Sequence, residues 1–199
     1  EIRDLETANT CVQAAMTGRV VITGLHTNTT ADAIKRLLDM GLEPFLVKST
    51  VIGVVSLRLA RELCPACKAP QTPDSSKLSP EVQQQLSALD SPTFHRAAGC
   101  DDCRQTGHRG RTAIAEVLRV TDAIREIVTA DVDPAAIREL AVKDGMHTLL
   151  DNGIAKAATG RVALGEILQV VPDVENTLAE YPTPPEPKVE MMPAEEVIL

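Results

Sequence analysis

Along residues 5–17 the apolar positions Ala8, Cys11, Val12, Ala15 and Met16 recur at helical spacing, and Gly18 follows where a helix would stop. The pattern then changes. Residues 20–25, Val-Val-Ile-Thr-Gly-Leu, form a short, almost wholly apolar run, which predicts a strand covered on both faces in a parallel sheet. It leads into His26-Thr27-Asn28. Thr29 or Thr30 can cap a second helix, which runs through Ala33, Leu37, Leu38 and Met40 to Gly41. The Val-rich apolar segment over 44–63 reads as helical.

Residues 71–80 are rich in Pro and Ser, and 81–89 again carry helical spacing. The alternation over 111–120 predicts one strand. Four short helices are expected over 123–129, 134–144, 148–159 and 164–170, with Pro134 in a natural first-turn position. Helix, apolar strand, polar triplet and helix in succession suit an α/β nucleotide-binding core.

Composition changes this picture in three places. With two Phe, one Tyr and no Trp, the core must be aliphatic, and no aromatic platform for stacking bases is present. The net charge of -8 is concentrated in residues 172–199, where seven acids face the single base Lys188 among six prolines. That stretch is expected to be a disordered tail, and the near-neutral remainder lacks the charge of a nucleic-acid binder. No segment reads as a membrane span or signal peptide, so the expectation is a soluble intracellular protein. The opening Glu1-Ile2-Arg3-Asp4, without an initiator Met, reads as a piece of a longer chain.

Four of the five cysteines form two pairs, Cys64-x2-Cys67 and Cys100-x2-Cys103, with 32 residues between the pairs. Two intervening residues let both sulfurs of a pair face one point, and two such turns supply the four thiolates that a structural zinc prefers. A redox Cys-x-x-Cys is the rival, though two copies flanking an insertion do not suit thioredoxin-like chemistry. Cys11 reads as a small core residue, and His95 and His108 as surface residues that the thiolates make unnecessary as ligands.

Five stretches share a further property. They are Glu-Ile-Arg-Asp-Leu-Glu-Thr at 1–7, Thr-Gly-Arg-Val-Val-Ile-Thr-Gly-Leu-His-Thr-Asn at 17–28 and Arg-Leu-Leu-Asp-Met-Gly-Leu-Glu-Pro-Phe at 36–45. Arg-Leu-Ala-Arg-Glu-Leu-Cys-Pro-Ala-Cys-Lys at 58–68 and Cys-Asp-Asp-Cys-Arg-Gln-Thr-Gly-His-Arg-Gly-Arg at 100–111 complete the set. Together and in this order they resemble the type II secretion and type IV pilus assembly ATPase family, across most of residues 1–170.

The resemblance implies a C-terminal portion of a RecA-like, P-loop ATPase core. In that family the glutamate of Glu-Ile-Arg-Asp closes the Walker B strand and handles the attacking water near magnesium, which implies that role for Glu1. The histidine of Leu-His-Thr-Asn is a phosphate-side sensor, which falls on His26; Arg3 would support the same ATP and Mg2+ site. The Gly-x-x-x-x-Gly-Lys-Ser/Thr phosphate loop is absent from these 199 residues, so alone they are expected to hydrolyse ATP hardly at all. Within the family, retraction enzymes generally lack the cysteine insertion, whereas assembly and secretion enzymes commonly carry it.

The expected organisation is thus a RecA-like core part at 1–63, a tetracysteine zinc insertion at 64–110, a helical subdomain at 111–171 and the acidic tail at 172–199. By resemblance, the partners are ATP, sister subunits in a ring, expected to be a hexamer, and an inner-membrane platform protein with cytoplasmic assembly proteins. The location would be cytoplasmic, peripheral to the inner membrane. The rival class is a noncatalytic zinc-stabilised interaction module. A weaker third is a nucleic-acid zinc ribbon built on Arg104, His108, Arg109 and Arg111.

Overall fold

A computed structural model describes residues 1–171; the expected tail at 172–199 lies outside the described residues. The chain opens with α1 (Leu5–Met16), whose N-cap Asp4 accepts from Thr7 N–H, and continues into α2 (Thr30–Asp39). Thr29 and Asp32 form a reciprocal capping box at the start of α2, which satisfies two of its orphan N–H groups. Ala31, Ala33, Ile34, Leu37 and Leu38 then form one buried stripe.

Between these helices the strand expected over 20–25 does not form. Among the described residues its backbone has one tie, Ile2 N–H to Gly24 O at 2.9 Å, and Val20 and Ile22 are 83% and 94% exposed. A strand is defined by a ladder, and no other strand lies beside these residues among those described.

The helix expected over 44–63 is also corrected. Pro44 opens a short helix, α3 (Pro44–Thr50), and the chain then enters an eleven-residue strand, β1 (Gly53–Leu63). Four small elements follow as the insertion: β2 (Ala69–Pro70), a 3-10 turn at Ser75–Lys77, α4 (Pro80–Ser87) and β3 (His95–Arg96). β2 pairs with β3 through Ala69–Arg96 and Pro70–His95. A second 3-10 turn, Asp101–Cys103, leads to β4 (His108–Arg119), which returns antiparallel along β1. Their register runs from Gly53 opposite Arg119 to Arg61 opposite Arg111, then shifts so that Leu63 faces His108. The four expected helices follow as α5 (Asp122–Ile127), α6 (Pro134–Lys143), α7 (Leu149–Ala158) and α8 (Leu164–Val170).

β4 matches the strand expected over 111–120, whereas β1 was missed because it inverts the usual pattern, with its apolar residues facing outward and Ser56 and Arg58 on the partly buried face. Val55, Leu57, Leu59 and Val117 lie on the exposed face, while Ala60, Ile114 and Leu118 lie on the buried one. Val55-Ser56-Leu57-Arg58-Leu59 alternates with a period of two, the signal of a strand inside the Val-rich segment over 44–63.

Two buried clusters flank this ribbon. The first joins α1, α2, α3, α5 and α6 around Ile34 and Leu118; the second joins α4, α7 and α8 around Ile114 and Ile167. Each fully buried aliphatic side chain contributes about 1.5–3 kcal/mol. β4 contributes Leu118 to one cluster and Ile114 to the other, so one strand spans both.

Candidate active site and metal centre

The Glu-Ile-Arg-Asp stretch is a short extended segment in which each residue has a separate task. Ile2 is buried in the first core and donates to Gly24, Asp4 caps α1, and Glu1 and Arg3 between them face outward. Glu1 Oε2 accepts from Arg3 Nη2 at 2.8 Å, and Glu1 Oε1 lies 2.6 Å from His26 Nε2. The structure therefore brings together Glu1, Arg3 and His26. The Arg3 hydrogen bond, aided by the charges of Arg3 and His26, outweighs desolvation and holds the Glu1 carboxyl below its ordinary value of 4.5. A carboxylate kept ionised at neutral pH is equipped to accept a proton from water or orient it.

His26 sits on a loop tethered at three points. Gly24 O accepts from Ile2, Asn28 O accepts from Arg58 Nη2 at 3.3 Å, and Thr30 is held by Glu116 of β4. Leu25, His26, Thr27, Asn28 and Arg58 line an open cleft of about 440 Å³. Neither Arg58 nor Glu116 was singled out in the sequence. The available signal for Glu116 is an acid in the middle of a strand whose neighbours two residues away, Ile114 and Leu118, are apolar.

The two cysteine pairs meet at the end of the ribbon. Cys64 follows β1 directly and donates its N–H to Gly107 O at 2.9 Å, while Cys67 N–H and Lys68 N–H turn back onto Cys64 O. Gly99 enters the second turn at φ +104°, where a Cβ would lie 2.9 Å from Gln105 O, so only glycine fits. The Sγ atoms of Cys64, Cys67, Cys100 and Cys103 all lie within 4.8 Å of one another, with separations of 3.9 Å for 64 to 100, 3.9 Å for 67 to 103 and 3.7 Å for 100 to 103. Zinc–thiolate bonds of about 2.3 Å in a tetrahedron place neighbouring sulfurs about 3.8 Å apart, so the donor set fits such an ion.

Backbone N–H groups aim at these sulfurs as well. Cys67 Sγ accepts from Gly99, and Cys103 Sγ accepts from Cys100 and Gly107 at 3.2 and 3.1 Å. Burial opposes ionisation of Cys103, yet these backbone donors and the thiols of Cys100 and Cys67 bring it down to about 6. Cys100 moves the other way, to about 11: a backbone donor lowers it, but burial and the adjoining thiols of Cys103 and Cys67 prevail.

Both histidines expected at the surface are half-buried. Burial of His108, reinforced by the charge of Arg61, lowers its pKa. His95 is bonded through Nδ1 to Thr93 O at 3.0 Å, and Cys11 packs against the first core as expected.

Comparison with known proteins decides the family. The profile described as type II/IV secretion system protein matches residues 1–169. The chain belongs to this family. It is 41% identical over 170 residues to the type II secretion system ATPase E of Vibrio cholerae, covering 85% of this chain and 33% of that protein. It is 42% identical over 172 residues to the type IV pilus assembly ATPase PilB of Thermus thermophilus, covering 84% and 19%. The chain therefore spans about a third or less of the length of these family members. Among solved structures, the pilus retraction motor PilT with bound ADP aligns with a TM-score of 0.56 at 21% identity, over 87% of this chain and 38% of that one. The Legionella pneumophila ATPase DotB aligns with a TM-score of 0.54 at 17% identity, over 85% and 36%. Both share the fold.

Proposed function

We propose that this chain is part of an ATP-hydrolysing motor that powers type IV pilus assembly or type II protein secretion at the cytoplasmic face of the inner membrane. The observation that carries this reading is the 2.6 Å approach of His26 Nε2 to Glu1 Oε1, made by two separate segments in a chain of this family. Bound ATP and magnesium supply the phosphoanhydride and the charge that neutralises it. Glu1 orients the attacking water through its carboxylate. Arg3 holds the other carboxylate oxygen and fixes its orientation.

His26 serves as the phosphate-side sensor. Its Nε2 proton can serve one strong acceptor at a time, so donation to a phosphate oxygen releases Glu1 Oε1 for water. Cys64, Cys67, Cys100 and Cys103 hold a structural zinc ion, with all four positions taken by protein. The motor works as a ring of subunits, a hexamer in this reading, against an inner-membrane platform protein.

The test is magnesium-dependent ATP turnover of the full-length protein, assembled as a ring, against its Glu1→Gln variant. The variant is expected to lose about 10²-fold or more in kcat, roughly 2.7 kcal/mol or more of barrier. If neither protein turns over, the noncatalytic zinc-stabilised interaction module is the better account.

A further inference from the structure

We propose that Glu116 is a positioning residue for the loop that carries His26, and that it ties this loop to the first turn of α7. The proposal rests on the role given to His26 above. Glu116 is 4% exposed on β4, and Thr30 is wholly buried. One carboxylate oxygen, Oε1, accepts both from Thr30 N–H at 3.2 Å and from Thr30 Oγ1 at 2.5 Å. The other, Oε2, accepts from Leu149 N–H at 3.3 Å. One side chain therefore holds the first residue of two helices that are far apart in sequence.

These bonds do not duplicate the caps. In α2 the box of Thr29 and Asp32 satisfies the cap N–H and the Asp32 N–H; in α7 the box of Thr148 and Asp151 does the same. The N–H groups of Thr30 and Leu149, at the first helical positions, have no partner within their helices. Buried and unpaired, each would be costly, and a negative charge between two helix N-termini also suits both dipoles.

The placement matters as much as the bonding. His26 lies four residues before Thr30, and the tether at Thr30 is the buried one of the three that hold the loop. α2 packs in the first core and α7 in the second, while Glu116 stands on β4 between Ile114 and Leu118, which belong to different cores. A displacement of either core therefore acts on the same carboxylate, and through Thr30 on the loop. A glutamine there could accept at one helix only, because its amide nitrogen would face an N–H donor at the other.

The experiment uses the full-length protein and the variants Glu116→Gln, Thr30→Val and Thr30→Ser, with Mg-ATP turnover and hydrogen exchange in the absence of nucleotide. Glu116→Gln and Thr30→Val are expected to lower kcat about 10-fold with KM for ATP within about twofold, and Thr30→Ser, which keeps the hydroxyl, to retain most of kcat. Exchange should rise at 26–30 and 148–150 in Glu116→Gln and stay at the parental level in α8. Unchanged kcat in Glu116→Gln overturns the positioning role, and unchanged exchange at 26–30 overturns the tether. A loss shared equally by kcat, KM and the unfolding midpoint, without rescue by Thr30→Ser, makes Glu116 a stability residue only and also overturns the proposal. If the parent itself has no turnover, the motor reading fails separately, and the exchange pattern still decides whether the tether exists.

Discussion

Arg61 grips Glu166 with Nε and Nη2, the shorter bond being 2.6 Å, and its backbone N–H adds a third bond at 3.0 Å. Burial alone would raise the Glu166 pKa, but these bonds and the Arg61 charge prevail and hold it below 4.5. A depressed folded pKa contributes stability that is present above the unfolded value and is lost as pH falls through the folded one. Glu166→Gln should therefore destabilise the protein by about 2 kcal/mol at neutral pH, less than a fully buried pair because the Arg61 side chain is 40% exposed. Thermal unfolding of both proteins across pH checks this: the gap between them should close as pH falls below 4.5. At this scale the sequence was legible where chemistry is local. The four cysteines expected from their spacing do cluster, and Glu1 and His26, expected from their motifs, do meet. Glu166 and Glu116 did not, because their partners lie 105 and 86 residues away and only the fold brings them together.

Among the elements, helices with a polar cap and a single apolar stripe were readable. α2 and α6 are capped by Thr29 and Asp133 and bury one face each, as their patterns require. Over 44–63 a helix was expected although Val55-Ser56-Leu57-Arg58-Leu59 alternates as a strand does, with its apolar members facing outward, and over 20–25 the expected strand depends on neighbours that no local pattern supplies. The contact of α7 with α8 turns on Gly153, where an added Cβ would fall inside the contact distance of Ile167 Cγ2. Gly153→Ala has better helix propensity yet should destabilise the protein by about 1–3 kcal/mol through overpacking. Denaturant unfolding measures the sign directly, and a stabilised variant would show that the two helices can part without penalty.

At the scale of the whole molecule, the insertion is not an independent body. Leu78, Val82 and Phe94 from it are buried in the second core with α7 and α8, while the cysteine cluster closes the end of the β1–β4 ribbon. Metal analysis of anaerobically purified protein should give about one zinc per chain, and Cys103→Ser or a strong chelator should remove it. Hydrogen exchange should then accelerate across 64–110 and in α4, with α1 and α2 in the first core much less affected. Acid should act like the chelator, since protons compete with the ion for the thiolates.

The place of the cysteines at the neck of this loop also bears on how the chain reaches its fold. Pairing Leu63 with His108 requires residues 64–107 to close on themselves before any ladder bond can form. With the proposed zinc clasping the two cysteine turns, only the few residues between Cys103 and His108 would remain to be closed. The logarithmic dependence of closure entropy on length makes that difference worth roughly 2 kcal/mol of the search. A zinc ion held there, as proposed, would act before the native state exists, as a splice that selects the ribbon's register early, and a chain deprived of it would have to find the long-range pairing by diffusion alone.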